Sequence, residues 1–324
     1  MKNIANYLLL TAMASLVLSC TKDLQDDLKE GGWNHERTIL DIKFQNQMGL
    51  PVIETIDAHT GDIKVTINVE VIPDMSQVKL EKLQLSYQAT ASVKAGETLN
   101  FDNEEKTAIL TVTSATGKQR EYTIQASPFV ETLAGTYDVK SYVLYGGTGP
   151  EYNGGGVYEL QDKSWVWGGN APGTEHDNVL SFTVTGNTDE GNTYGTCFND
   201  PGEDMKYADF LFLAKYNKEG EMDIDLNHFY RQIPVGESTW LRDYTTNTIT
   251  FTDKEGRETV GTLCDSGTEL LAKKQNGVDY YQYTIENQAF AFNLTGVNDW
   301  TNIYSDYDKI VKNPRRLWIN VVKR

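Results

Sequence analysis

The chain is poor in cysteine, with 3 in 324 residues, and it holds only 4 histidines and 8 prolines. So few thiols exclude a small disulfide-stapled scaffold. Neither a Cys-x-x-Cys nor a His-Glu-x-x-His spacing occurs, which excludes the common zinc arrangements. Gly-x-Ser-x-Gly is also missing, and His176 and His228 have no serine or cysteine nucleophile in an elbow beside them. Positive charge is scarce as well: 29 Lys and Arg face 46 Asp and Glu, a formal net charge of −17. So acidic a chain repels a phosphate backbone, which excludes nucleic acid as a partner and suits a neutral ligand or a bound cation.

Long apolar runs are absent too. The longest, residues 7–18, falls short of the ~20 residues that span a bilayer, and Lys22, Asp23, Asp26 and Asp27 follow it closely. With Lys2 before it and the small Ser19 after it, residues 1–19 have the layout of a secretory signal peptide. Val17-Leu18-Ser19-Cys20 resembles the bacterial lipobox. That resemblance implies a mature chain beginning at a lipid-modified Cys20, with the two or more acyl chains that stable attachment requires. Residues 20–37 are acidic and poor in apolar side chains, a solvated tether. Such a stretch also resembles the export signal that carries Bacteroidetes lipoproteins to the cell surface. Cys197 and Cys264, the other two thiols, form one disulfide or remain buried and free; spacing alone leaves both open.

What is present in abundance is strand pattern and aromatic side chains, 18 Tyr and 6 Trp. From Thr38 apolar residues alternate with polar ones: Ile63, Val65, Ile67 and Val69 against Asp62, Lys64, Thr66 and Asn68. Residues 108–113 and 122–124, joined by Ala115-Thr116-Gly117-Lys118, form a hairpin. Residues 38–127 therefore predict a small antiparallel β-sandwich. The progression Ile39-Leu40-Asp41-Ile42-Lys43-Phe44, Ile63-Lys64-Val65-Thr66-Ile67, Leu99-Asn100-Phe101, Leu110-Thr111-Val112-Thr113 and Tyr122-Thr123-Ile124 is similar to a known module. It resembles the immunoglobulin-like N-terminal modules of Bacteroidetes surface lipoproteins encoded with polysaccharide-uptake systems. The resemblance implies a spacer domain, an outer-membrane location, and partnership with a glycan and an outer-membrane transporter complex.

Ser127-Pro128 closes this domain, and the strand period restarts near Tyr137. Residues 133–324 are again strand-rich, with glycine- and asparagine-rich loops, so the whole chain is expected to be all-β. For this second half a jelly-roll-like sandwich is preferred. The alternative is a barrel, because Leu133-Ala134-Gly135-Thr136-Tyr137 resembles the opening strand of lipocalin-like domains.

Sugar rings stack C–H faces on exposed aromatics, and their hydroxyls need paired donors and acceptors. Trp165-Val166-Trp167, read as a strand, sends both tryptophans to one face, next to Gly168-Gly169-Asn170. The candidate ligand-binding residues are Trp165, Trp167, Asn170, Trp240, Arg242 and Trp300. For the tryptophans the competing expectation is core packing, and for Arg231 and Arg242 it is a structural carboxylate pair. Asp200, Glu203 and Asp204, in one turn, are the candidates for a calcium ion, against a solvated acidic turn. Asp223-x-Asp225-x-Asn227 departs from a calcium loop, since His228 stands where glycine is needed. The expected function is non-catalytic binding of a polysaccharide or oligosaccharide. The alternatives are an adhesion or structural protein that binds another protein, and a glycoside hydrolase, which requires two facing carboxyl groups. The lipid anchor has a direct test: cells expressing the chain should incorporate labelled palmitate into it, and Cys20→Ser should abolish the label.

Overall fold

The computed structural model describes residues 34–72, 74–216, 222–273 and 279–324. The signal segment, Cys20 and most of the tether lie outside the described residues. The protein is all-β, and its chain divides into two units, Met1–Phe129 and Val130–Arg324.

The first unit is a sandwich of two sheets. Its strands are β1 (Ile39–Phe44), β2 (Gln47–Thr55), β3 (Thr60–Asn68), β4 (Val78–Leu85), β5 (Thr90–Ala91), β6 (Thr98–Leu99), β7 (Thr107–Thr113) and β8 (Gln119–Phe129). One sheet runs β1-β4-β6, the other β2-β3-β8-β7-β5, with β3 and β8 parallel. The period-two pattern is what fills the space between them: Ile42, Phe44, Ile63, Val65, Leu110, Val112, Tyr122 and Ile124 all point inward and are buried. Gly61 sits so close to Tyr122 that a Cβ there would lie 2.5 Å from the ring. The expected hairpin forms as β7 and β8, closed by a turn in which Gly117 N–H donates to Ser114 O. Strand β2 was not legible, because Gly49-Leu50-Pro51 interrupts its alternation; the register with β3 shifts between Met48 and Val52.

The second unit contains β9 (Gly135–Gly146), β10 (Gly156–Glu159), β11 (Trp167–Gly168), β12 (Val179–Asn187), β13 (Thr193–Asp200), β14 (Leu211–Phe212) and β15 (Ile224–Asp225). A single α-helical turn, α1 (Asn227–Tyr230), precedes β16 (Gly236–Asp243), β17 (Thr248–Thr252), β18 (Glu258–Lys273), β19 (Asp279–Asn293) and β20 (Pro314–Lys323). Strands β9, β12, β13, β16, β17, β18, β19 and β20 pair in that order, and β20 pairs back to β9. This is the closed barrel of the two architectures weighed, not the jelly-roll sandwich. Bonding the last strand to the first removes both sheet edges at once. Along its lower half β9 pairs with β12, and along its upper half with β10.

The lumen is packed with aromatic side chains. Phe182 and Phe290 stack at 5.4 Å and 20°, while Tyr137, Trp240 and Phe251 meet Phe182 edge-on. A second apolar layer lies outside the wall. The β18–β19 hairpin changes register between Asp265 and Gly267, and its far half bends back over β9 and β20. There Tyr283 covers the buried Trp318 at a ring separation of 4.6 Å, and Tyr281 packs on Tyr145. Cys197 faces the inner layer and Cys264 the outer one, so the wall separates them and both are free. Burial pushes the Cys197 thiol up to about 12 and the Cys264 thiol to about 11.

In this strand-rich half, segments 209–216 and 223–230 are only short pairings followed by helical turns, a 3-10 turn at Ala214–Tyr216 and α1. Their apolar residues Phe210, Phe212, Leu226 and Tyr230 instead cap the barrel core. Phe182 touches four aromatic neighbours in that core, so Phe182→Ala should cost about 3–5 kcal/mol. Urea unfolding of the purified protein would measure the loss.

Candidate functional site

In an antiparallel ring, alternate connections lie at opposite rims. The ends of β9, β13, β17 and β19 therefore share one rim with the starts of β12, β16, β18 and β20. That rim carries the long segments 147–178, 201–235 and 294–313, whereas 188–192 and 244–247 close the other rim as short turns. Long loops held by a rigid barrel are where a binding site is expected.

Segments 224–229 and 295–312 enclose a cleft of about 670 Å³ at this rim. Its walls are apolar at Leu226, Phe229, Val297 and Tyr307, and polar at Asn298 and Asp299. Trp300 stands at its edge, 57% exposed. Tyr152 meets the indole edge-on at 6.2 Å, and the exposed Tyr304 donates to Tyr152 O at 3.4 Å. Gly149, at φ +60°, makes this seat: a Cβ there would lie 2.8 Å from the Trp300 ring.

Beneath the aromatics lies a buried polar support. Thr148 N–H donates to Asp308 Oδ2 at 2.7 Å, and its hydroxyl donates to Asp308 Oδ1 at 2.8 Å. The same hydroxyl oxygen accepts from Asp299 N–H at 2.8 Å and from Asn313 Nδ2 at 3.2 Å. One threonine thus ties the loop after β9 to the segment bearing Trp300. Burial pushes the Asp308 carboxyl above its ordinary value, although the two bonds from Thr148 pull it down; the charge of Asp299 adds to the rise. Asp299 itself is held low by bonds from Thr301 and Asn302, with burial opposing them.

A second cleft, about 1000 Å³, adjoins the first. Tyr207, Asp209, Arg231, Val235, Glu237 and Glu258 lie on its walls, and the exposed His228 lines both clefts.

Of the residues expected to bind, Trp300 lines the first cleft and the others line neither of the two. Trp165 is half-exposed but lies off both, with Lys163 Nζ 5.1 Å over its ring and bound to Asp306 at 2.9 Å. Trp165 and Trp167 do not share a face. Residues 160–166 form 3-10 turns, and Trp167 alone enters a strand, its indole N–H donating to Leu160 O within the buried rim core. Trp240 is 1% exposed, inside the barrel, and donates to Thr196 O. Asn170 is engaged through its backbone, with N–H to Asp209 Oδ2 and O accepting from Asp209 N–H. In the acidic turn Asp200 accepts from Gly202 N–H and Asp204 from Lys206 N–H, while Glu203 and Asp204 N–H donate to Asp177. Among the described residues, no three His, Cys, Asp or Glu side chains gather as a metal site.

Arg242 is at the opposite rim, so it clamps no ligand in these clefts. Its guanidinium donates to Glu131 Oε1 at 2.6 Å and to Thr132. Glu131 is buried and also accepts from the Thr193 and Tyr244 hydroxyls and from Leu133 N–H. Arg231 makes the matching pair at the upper rim, 2.5 Å from Glu175. Thr148 and Asp308 carry no motif that marks them as a support, and Tyr152 and Tyr304 are not among the residues expected to bind. The signal for the latter two was their place in segments rich in glycine or aspartate.

No protein-family model and no curated protein matches the chain. The chain is weakly similar to several solved structures, among them three from Bacteroides. A Bacteroides fragilis protein, provisionally described as secreted, is 12% identical over 29% of this chain and 96% of its own, with a TM-score of 0.22. A Bacteroides ovatus protein of unknown function is 11% identical over 74% of this chain and 68% of its own, at TM-score 0.16. A multidomain Bacteroides ovatus protein including DUF1735 is 10% identical over 77% and 71%, also at 0.16. Scores this low carry no argument about fold or function.

The Glu131 pair has a pH signature. Burial pushes that carboxyl up, but the bonds from Thr193, Tyr244 and Leu133 and the charge of Arg242 outweigh it, leaving it below its ordinary value. Such a group contributes stability that is complete above the unfolded pKa of about 4.3 and is lost as pH falls through the lower folded value. Glu131→Gln should therefore cost about 3–5 kcal/mol at neutral pH. Below pH ~4 the gap from the native protein should narrow, as read by urea unfolding across pH.

Proposed function

We propose that the protein is a lipid-anchored, outer-membrane glycan-binding protein that holds a neutral polysaccharide or oligosaccharide without cleaving it. The observation that carries this reading is the group of Trp300, Tyr152 and Tyr304, exposed together at the rim beside a cleft with polar groups at Asn298 and Asp299. An exposed ring lets a sugar stack its C–H face, and neighbouring amide and carboxylate groups take hydroxyls. The polar support under Thr148 holds the platform in place before any ligand arrives, which lowers the ordering cost of binding.

Beside Trp300, binding without turnover is supported by the composition of the first cleft. Glycoside hydrolysis needs two carboxyl groups flanking the bond. Asp299 is the one carboxylate among the lining residues of the first cleft, so no second carboxyl faces it there. The lipobox-like Cys20 and the acidic tether support attachment at the cell surface, and the resemblance to glycan-uptake lipoproteins supports service to an outer-membrane transporter.

Native affinity electrophoresis through gels containing neutral plant and microbial polysaccharides tests the reading. At least one glycan should retard the protein. Trp300→Ala should weaken that binding by about tenfold or more, equivalent to ~1.4 kcal/mol, with its melting temperature unchanged because the indole is exposed. Failure of every glycan to retard the native protein would sink the proposal.

A further inference from the structure

The two clefts share one wall, and its construction is readable in the chain. In the strand β15 and the residue after it, side chains alternate: Ile224 and Leu226 line the first cleft and Asp225 lines the second. In α1 and its cap the period becomes helical. Asn227 and Arg231, four apart on one face, line the second cleft, and Phe229 lines the first. His228 lies at the crest between them, exposed, its ring 4.0 Å from that of Phe229. Residues 224–231 therefore form a low ridge with a different chemistry on each side.

The two sides are complementary for one kind of ligand. The first cleft offers aromatic and aliphatic surface, with Trp300 at its edge; the second offers carboxylates, Arg231, Lys254 and Arg257. At about 670 and 1000 Å³, each is within the ~300–1,000 Å³ that accommodates a drug-sized molecule, so a single sugar ring fills neither. Carboxylates outnumber cations among the residues lining the second cleft, which disfavours anionic sugars there.

We infer that the glycan site continues from Trp300 over the His228 ridge into the second cleft, and that it takes the interior of a neutral glycan chain, not a single terminal ring. This inference rests on the glycan-binding reading of the first cleft. The ring over Trp300 is held by stacking, and the rings beyond His228 are held by hydrogen bonds to their hydroxyls.

Isothermal titration with ladders of neutral oligosaccharides, from disaccharide to hexasaccharide of the β-glucan, xylan, mannan and α-glucan series, tests this, with an oligogalacturonate ladder as the acidic counterpart. For at least one neutral ladder, affinity should rise by about tenfold or more from the shortest to the longest member. Val235→Trp, which puts a bulky ring into the second cleft from an exposed position, should leave the shortest binder within about twofold and remove the gain with length. Glu237→Trp, also exposed, repeats the block should the first variant fold poorly, and melting temperature reports folding for both. His228→Ala should weaken long members more than short ones. A gain with length that survives both blocking variants, affinity independent of length, or preference for the acidic ladder overturns the extended site while the glycan reading stands. Absence of binding by every ladder and every polysaccharide overturns both.

Discussion

The seam between β9 and β20 is the constraint on which the second unit depends. It runs from Pro314 opposite Gly146 to Lys323 opposite Tyr137, and it turns an open sheet into a ring. It also fixes the origin of the site. The loop after β9 and the segment before β20 leave the barrel from paired residues, so Thr148, Asp308 and Asn313 are neighbours before any side chain is chosen. Gly147 N–H donates to Asn313 O at 2.8 Å, and a Cβ on Gly146 would lie 2.1 Å from Lys309 O. The aromatic platform is a surface built on that closure.

Among the described residues, three buried carboxylates occupy the ends of the barrel, and they are satisfied in different ways. Glu131 and Glu175 each pair with an arginine and take further hydrogen bonds. Such an arrangement offsets desolvation only when the remaining lone pairs are filled, as they are here. Asp308 accepts from the backbone and hydroxyl of Thr148, and its pKa rises under burial. The two arginine pairs make rigid rims, and the threonine contact makes a joint between two loops. The acidic chain thus spends two of its scarce cations on architecture.

Much of the fold was legible, and the limits have physical reasons. Alternation announced β1, β3, β7 and β8, since one face of each is buried, and the period restarting near Tyr137 announced β9. Strands β13, β16 and β18 escaped because their outward positions carry Phe198, Leu241 and Val260, which erase the contrast between faces. Barrel and sandwich share the same local pattern; closure is decided by the pairing of residues some 180 positions apart, as at Asn320 and Ser141. Among site residues, Trp300 could be found because its segment is polar and no strand period surrounds it. Trp167 and Trp240 could not be told from it by type, since a tryptophan fits a core and a ligand face equally well. Thr148 was invisible, because its importance lies in which three backbone and side-chain groups meet its hydroxyl.

The separation of Cys197 from Cys264 by the barrel wall bears on how the chain matures. One thiol faces the inner aromatic packing and the other the layer under the β18–β19 hairpin, so correct folding itself keeps them from meeting. Burial also suppresses the thiolate, the form that attacks a disulfide. The folded barrel therefore forms without an oxidation step between these two residues, and its assembly is decoupled from the thiol chemistry around it.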